Sequence, residues 1–270
     1  MEKIEIKNLS KEYTEKGHIF KALDNVSLSV NDGEFVSVIG PSGCGKSTLL
    51  SIIEGINTAT EGAVFIDGRE VHDTGLDRGV VFQQYSLFPW MSARKNVRLG
   101  IKQCFSDIDK KEQYRRADEY LDKVGLAAMK DKFPMQMSGG QRQRVAIARA
   151  LAMDTEILLM DEPFGAIDTK NRTDLQELLL DLWEGTGKDG RKKTILFVTH
   201  DIDEAIFLSD RIVMMLPEPG RIHKELEVPF ERPRDRRSIV GTKEYNRFRN
   251  ELVSLFYESF SGKISEYSAL

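Results

Sequence analysis

Cysteine is scarce: Cys44 and Cys104 are the only two in 270 residues. Neither stands at a metal-ligand spacing, and two cysteines do not make the disulfide framework of a small secreted scaffold. The chain therefore reads as a reduced, cytosolic protein. A basic excess is also missing. The 39 Lys and Arg face 43 Asp and Glu, a formal net charge of −4, so no nucleic-acid partner is expected. Long apolar runs are absent as well. The longest stretch without a charge, Gly79 to Ala93, contains Gln83, Gln84, Ser86 and Pro89 and is too short and too polar to span a bilayer. Met1-Glu2-Lys3-Ile4 lacks the basic-then-apolar layout of a signal peptide. No solenoid repeat and no long low-complexity tract is found. What remains is a soluble globular composition, 30% charged and 40% hydrophobic, long enough for one substantial core or one core with a lobe.

The pattern along the chain gives the fold class. Ile4, Ile6 and Leu9, then Leu23, Val26, Leu28 and Val30, alternate as short strands do. Phe35-Val36-Ser37-Val38-Ile39 is an apolar strand, followed by a glycine-rich turn and a helical run from about Lys46. Further strands are expected at Ala63–Ile66 and Gly79–Phe82. From about Ser92 to Ala152 the spacing turns helical, with Lys110–Val124 and Gln141–Met153 as its clearest runs. Strands return at Ile157–Met160, Thr194–Val198 and Arg211–Met215, with helices at Thr169–Trp183 and Ile202–Leu208. Alternation on both sides of a helical insertion predicts an α/β core with a mostly parallel sheet. Gly185–Lys193 is a polar loop without an assigned role. Pro229–Arg237 reads as a solvated basic linker, and Tyr245–Phe260 as a final amphipathic segment that packs back on the core.

Two motifs carry chemistry. Gly40-Pro41-Ser42-Gly43-Cys44-Gly45-Lys46-Ser47-Thr48 fits G-x-x-x-x-G-K-[ST] between a strand and a helix. Its backbone N–H groups and helix end suit phosphate oxygens. Lys46 would reach the β and γ phosphates, and the Ser47 hydroxyl could ligate Mg²⁺. Cys44, inside this loop, reads either as a small buried filler or as a thiol acidified by the helix end. Ile157-Leu158-Leu159-Met160 ends in Asp161-Glu162. Asp161 suits the Mg²⁺ shell, and Glu162 suits a group that polarises the water attacking the γ-phosphate. Ser138-Gly139-Gly140-Gln141 then opens an amphipathic helix, with Ser138 as its N-cap, and makes a second anion-binding helix end.

Met137-Ser138-Gly139-Gly140-Gln141-Arg142-Gln143-Arg144 closely resembles the signature motif of ATP-binding-cassette (ABC) ATPases, and the family's other motifs follow in its order. Gln83 resembles the Q-loop glutamine, Gly165-Ala166-Ile167-Asp168 the D-loop, His200 the switch histidine, and Tyr13 the aromatic that stacks on adenine. The resemblance covers about Ile4 to Val228. It implies a P-loop NTPase (RecA-like) core, an N-terminal antiparallel β subdomain and an inserted helical subdomain at about 92–152. An ABC ATPase domain over 1–228 would be followed by a C-terminal extension over 229–270. The implied ligands are ATP and Mg²⁺, the metal held by Ser47, Gln83 and Asp161. The implied catalytic residues are Glu162, His200 and Lys46. Two copies would pack head to tail, with Ser138 and Gly140 reaching the γ-phosphate in trans. Met137 and Ile167 replace a frequent Leu, and both stay apolar.

Leu87-Phe88-Pro89-Trp90-Met91, Asp161-Glu162-Pro163-Phe164-Gly165-Ala166 and Pro229–Arg237 together resemble the nitrate/sulfonate/taurine group of bacterial importer ATPases. That resemblance implies membrane permease subunits and, indirectly, an extracytoplasmic solute-binding protein. It also implies a peripheral position on the cytoplasmic face of the inner membrane and a small anionic solute. Tyr85–Met91 is read in two ways, as packing of the helical lobe and as an aromatic groove for a permease helix. The alternatives are an unfused exporter or a non-transport ABC ATPase. A long coiled-coil insertion, a second cassette and fused membrane helices, which mark other branches of the family, are not in this sequence.

Overall fold

The alternation at the start of the chain becomes two long strands. β1 (Glu2–Glu15) and β2 (His18–Asn31) pair antiparallel, with Ile4 opposite Val30, Ile6 opposite Leu28 and Leu9 opposite Val26. All six side chains are buried: a period of two sends alternate residues to one face, and a register shift between Ile6 and Leu9 accommodates the odd-numbered Leu9. The computed structural model describes residues 1–15, 17–84, 86–165, 167–184 and 192–267, with no side chain described at 170 or beyond 257. Tyr85, Ala166 and most of the Gly185–Lys193 loop therefore lie outside the described residues.

The order continues with β3 (Phe35–Ile39), α1 (Lys46–Glu54), β4 (Glu61–Ile66) and β5 (Arg69–Glu70). Then come β6 (Arg78–Val81), α2 (Ala93–Cys104), α3 (Lys110–Lys123), α4 (Gly139–Ala152), β7 (Ile157–Asp161), α5 (Thr169–Glu184) and β8 (Thr194–Thr199). The chain ends with α6 (Ile202–Leu208), β9 (Arg211–Leu216), β10 (Arg221–Glu227), α7 (Arg236–Ile239) and α8 (Lys243–Tyr267). Contacts divide it into two units. One holds Met1–Asn31, Phe35–His72 and the chain from Val198 onward; the other holds Asp32–Glu34 and Asp73–Phe197.

In the first unit, β4 joins β1 antiparallel and completes the sheet order β2-β1-β4-β5. β3 is buried along its whole length and pairs parallel with β9, Val38 opposite Val213, while β10 runs antiparallel on β9. Tyr245, Phe248 and Leu252 of α8 pack on Ile206, Ile212 and Met214, so the final amphipathic segment does fold back on the core. Each such large apolar side chain contributes about 1.5–3 kcal/mol on burial.

The basic segment before α8 is not the solvated linker its composition suggested. Arg232 Nε sits 2.7 Å from Asp210 Oδ1, and its Nη2 donates to Leu208 O at 2.6 Å. Arg234 is buried and donates to the carbonyls of Phe230, Ile206, Phe207 and Ser209. The last carbonyls of a helix lack intrahelical donors and carry its negative end. Guanidinium groups supply both the donors and the charge at the end of α6.

In the second unit, β6 pairs parallel with β7, Gly79 opposite Leu158, and β8 follows in the order β8-β7-β6. Val97 and Ile101 of α2, Ala117 and Leu121 of α3, and Val145, Ala148 and Ala152 of α4 form one apolar cluster. Their three- and four-residue spacings put each set on one helix face. The α/β class, the antiparallel N-terminal sheet and the helical insertion all match the sequence expectation. No helix among the described residues is long and apolar enough to cross a membrane.

Candidate functional site

β3 ends at Ile39, and the glycine-rich turn delivers the chain into α1. Gly45 is the N-cap, at φ 88°, and a Cβ there would stand 2.5 Å from Leu23 Cδ2. Only glycine meets both conditions. At Gly40 a Cβ would lie 2.6 Å from both Cys44 Sγ and Met215 O. No side chain caps α1, and its first turn carries no acidic residue. The N–H groups of that turn are thus left for an outside acceptor, and the helix end is positive. Lys46 is 6% exposed, and its Nζ donates to Gly40 O at 2.8 Å and Pro41 O at 3.0 Å. Ser42, Gly43 and Ser47 are exposed, and Thr48 is half-buried. An uncapped helix end above a buried cation is an arrangement suited to an anion. The acidified-thiol reading of Cys44 is corrected here. Its side chain is fully buried, and burial pushes the thiol up despite the Lys46 ammonium.

The second unit holds the acidic pair. β7 ends on Asp161, and Glu162 follows at φ 42°. That left-handed conformation is costly for a residue with a Cβ, and such strain gathers at functional sites. Gln83 Nε2 donates to Glu162 Oε2 at 3.2 Å, so the two side chains meet directly. Phe164 is fully buried, 5.7 Å between ring centroids from Phe197, and anchors the turn just after it. Asp168 caps α5, accepting from Asn171 N at 3.2 Å and Asn171 Nδ2 at 2.7 Å.

The signature helix α4 opens on a reciprocal capping box. Ser138 Oγ accepts from Gln141 N at 3.3 Å, and Gln141 Oε1 accepts from Ser138 N at 3.0 Å. The box leaves the Gly139 and Gly140 backbone to face an anion. Met137 and Ile167 are both buried, so the two departures from Leu preserve apolar packing.

Tyr13, the phosphate loop and His200 belong to the first unit; Gln83, Ser138–Gln141, Asp161, Glu162 and Asp168 belong to the second. Tyr13 is 38% exposed, with Lys11 Nζ 5.0 Å from its ring centroid. His200 is exposed, directly after β8.

The sequence did not reveal what holds the aromatic segment after Gln83. Asn96, fully buried on α2, accepts from Phe88 N at 2.8 Å and donates to the carbonyls of Phe88, Met91 and Ser92. Arg149 Nη1 donates to Ser86 O at 2.7 Å. Leu87 packs against the helical cluster, while Phe88 and Trp90 stay exposed, their rings 5.5 Å apart. The packing reading of this segment thus holds for Leu87, while Phe88 and Trp90 lie at the surface. One signal was available: a lone Asn among Ala93, Val97 and Ile101 on a buried helix face needs polar partners.

Comparison with known proteins gives a consistent picture. The ABC transporter family matches residues 23–165. The nitrate import ATP-binding protein NrtD of Synechococcus elongatus is 47% identical over 90% of this chain and 87% of its own. The bicarbonate transport ATP-binding protein CmpD of Synechocystis sp. is 44% identical over 95% of this chain and 89% of its own. A dimeric ATP-binding cassette in a post-hydrolysis state, bound to ADP and Pi, superposes with a TM-score of 0.75 at 38% identity, covering 84% of this chain and 100% of that one.

Proposed function

Because the chain belongs to the ABC transporter family and is an ATPase of that family, we propose that it powers the import of a small anion across a membrane. The observation that carries this is the match, over at least nine-tenths of the chain, to subunits named for nitrate import and bicarbonate transport. Nitrate and bicarbonate are both small oxyanions. Nitrate, sulfonates and taurine are the solute class already implied by the sequence.

The site residues take roles that their geometry supports. Tyr13 offers its ring to adenine. Gly40, Pro41, Ser42, Gly43, Cys44, Gly45 and Thr48 shape or line a phosphate cradle, and Lys46 neutralises the β and γ phosphates. Glu162 polarises the attacking water and receives its proton, and His200 meets the γ-phosphate. Ser138, Gly139, Gly140 and Gln141 present the α4 helix end to the nucleotide of a second copy, beside Asp168. Among the described residues no three His, Cys, Asp or Glu converge on a metal site. Ser47, Gln83 and Asp161 instead supply hard oxygen donors, the set that suits Mg²⁺ retaining waters and phosphate ligands. When bound, Mg²⁺ neutralises charge on the β and γ phosphates.

The exposed Phe88–Trp90 pair, held by Asn96, gives a permease helix an aromatic surface beside Gln83. The subunit then works at the cytoplasmic face of the membrane, as a pair of cassettes beneath the permease, with a solute-binding protein on the far side. Mild solubilisation of membranes carrying the tagged chain, followed by identification of copurifying proteins, tests this. A permease encoded beside a binding protein is the expected result, and ligand screening of that binding protein names the anion. Recovery only from the soluble fraction, without a membrane partner, overturns the transport reading and leaves the ATPase intact.

A further inference from the structure

His200 is bracketed by two residues tied to α6. Asp201 N donates to Thr199 Oγ1 at 3.0 Å, and the Thr199 hydroxyl donates to Glu204 Oε2 at 2.7 Å. The Asp201 carboxylate accepts from the N–H groups of Asp203 and Glu204, at 2.9 and 3.2 Å. The first turn of α6 therefore sets where His200 sits. That turn is gripped in turn by α8. Tyr245 Oη donates to Asp203 Oδ1 at 2.7 Å, and Arg249 Nε donates to the same oxygen at 2.8 Å. The two donors stand one turn apart on one face of α8. Tyr245 is 3% exposed, and its ring lies 5.9 Å from that of Phe230, so its hydroxyl has little freedom. Burial and the Asp203 bond hold the phenol well above its ordinary value, which keeps it a donor. Beside the clamp is a cavity of about 520 Å³ bordered by His200, Asp203, Arg249 and Phe256. It gives the His200 segment room to shift when the clamp is weakened.

We propose that Tyr245 and Arg249 are positioning residues for ATP hydrolysis: α8 holds Asp203 and, through the first turn of α6, holds His200 in place. The proposal rests on the assignment of His200 to the γ-phosphate. The C-terminal helix then sets the turnover rate without touching nucleotide.

Tyr245→Phe keeps the packed ring, and Arg249→Gln keeps a polar side chain without the charge. Steady-state ATPase, nucleotide affinity and Tm are measured on the full chain for each variant and for the pair. A misplacement of about 1 Å costs roughly 100-fold in rate, so a partly loosened His200 should cost about tenfold in kcat. KM for ATP should stay unchanged, and Arg249→Lys should restore part of the rate. Arg249 is 41% exposed at its side chain, so its ion pair adds little stability and Tm should barely move for Arg249→Gln. An unchanged kcat in the double variant overturns the proposal. So does a kcat loss matched by lost ATP affinity, since a merely structural role would produce that. Wild-type turnover, and its loss in Glu162→Gln, report separately on the ATPase assignment.

Discussion

At the scale of single residues, neighbouring effects compete, and Cys44 shows which one wins. The end of α1 favours a thiolate there, and so does Lys46 Nζ, 3.7 Å from Cys44 Sγ. Burial opposes both and prevails. A thiol raised by folding keeps its proton to higher pH than it does in the unfolded chain, so folded Cys44 holds less of the reactive thiolate at every pH. Cys104 is also pushed up by burial, but it is only half-buried. Iodoacetamide at mildly alkaline pH should therefore modify Cys104 first and Cys44 only as the chain opens, with denaturant equalising the two. Peptide mapping over time reads the order, and rapid Cys44 labelling in the folded protein would contradict it. Lys46, Asp161 and Glu162 were legible in the sequence because a phosphate loop and an apolar strand fix their places. The Gln83–Glu162 bond was not, because it joins residues far apart in the chain and depends on a φ that no neighbouring residue announces.

Elements respond to their own local chemistry. Asn96 ties the Phe88–Met91 turn to α2 through one accepted and several donated bonds. Asn96→Ala strands those groups in a buried place and should destabilise the protein by about 1–3 kcal/mol, read by urea unfolding. On α3, hydrogen bonds from Arg115 and Arg116 hold the Glu112 carboxyl down to about 2 from an ordinary 4.5. A carboxyl lowered by folding stabilises above its unfolded value and loses that contribution as pH falls through the folded one. The Tm gap between wild type and Glu112→Gln should stay constant from neutral pH to about 4.5 and close between 4.5 and 2. The gap is small, because the pair is exposed. Helices with clear periodicity, such as α3 and α4, were legible almost to the residue. β10 was missed because Arg221–Glu227 is an edge strand whose polar residues outnumber its buried ones. Arg232 and Arg234 were misread because composition records their charge and not the α6 carbonyls that receive it.

For the whole molecule, the decisive question is whether one nucleotide joins two copies. The triphosphate of ATP carries several negative charges, and each chain presents two helix ends suited to phosphate, α1 and α4. ATP held by the α1 loop of one copy can then be completed by the α4 end of another. Glu162→Gln removes the proposed base and leaves the α1 loop unchanged, so it should keep ATP affinity while slowing hydrolysis by roughly 10²–10⁴-fold. With hydrolysis blocked, the joined state should accumulate. Light scattering in ATP and Mg²⁺ should show the mass of two chains for this variant and of one chain in ADP, with the pair favoured at higher protein concentration. Glu162→Gln/Ser138→Glu supplies the control. It places a carboxylate against the partner's phosphates while leaving its own α1 loop untouched, so ATP affinity should persist and the pair should not form. A Glu162→Gln chain that binds ATP tightly yet stays single at every concentration would remove Ser138 and Gly140 from the site, and with them the mechanism by which nucleotide binding moves two cassettes together.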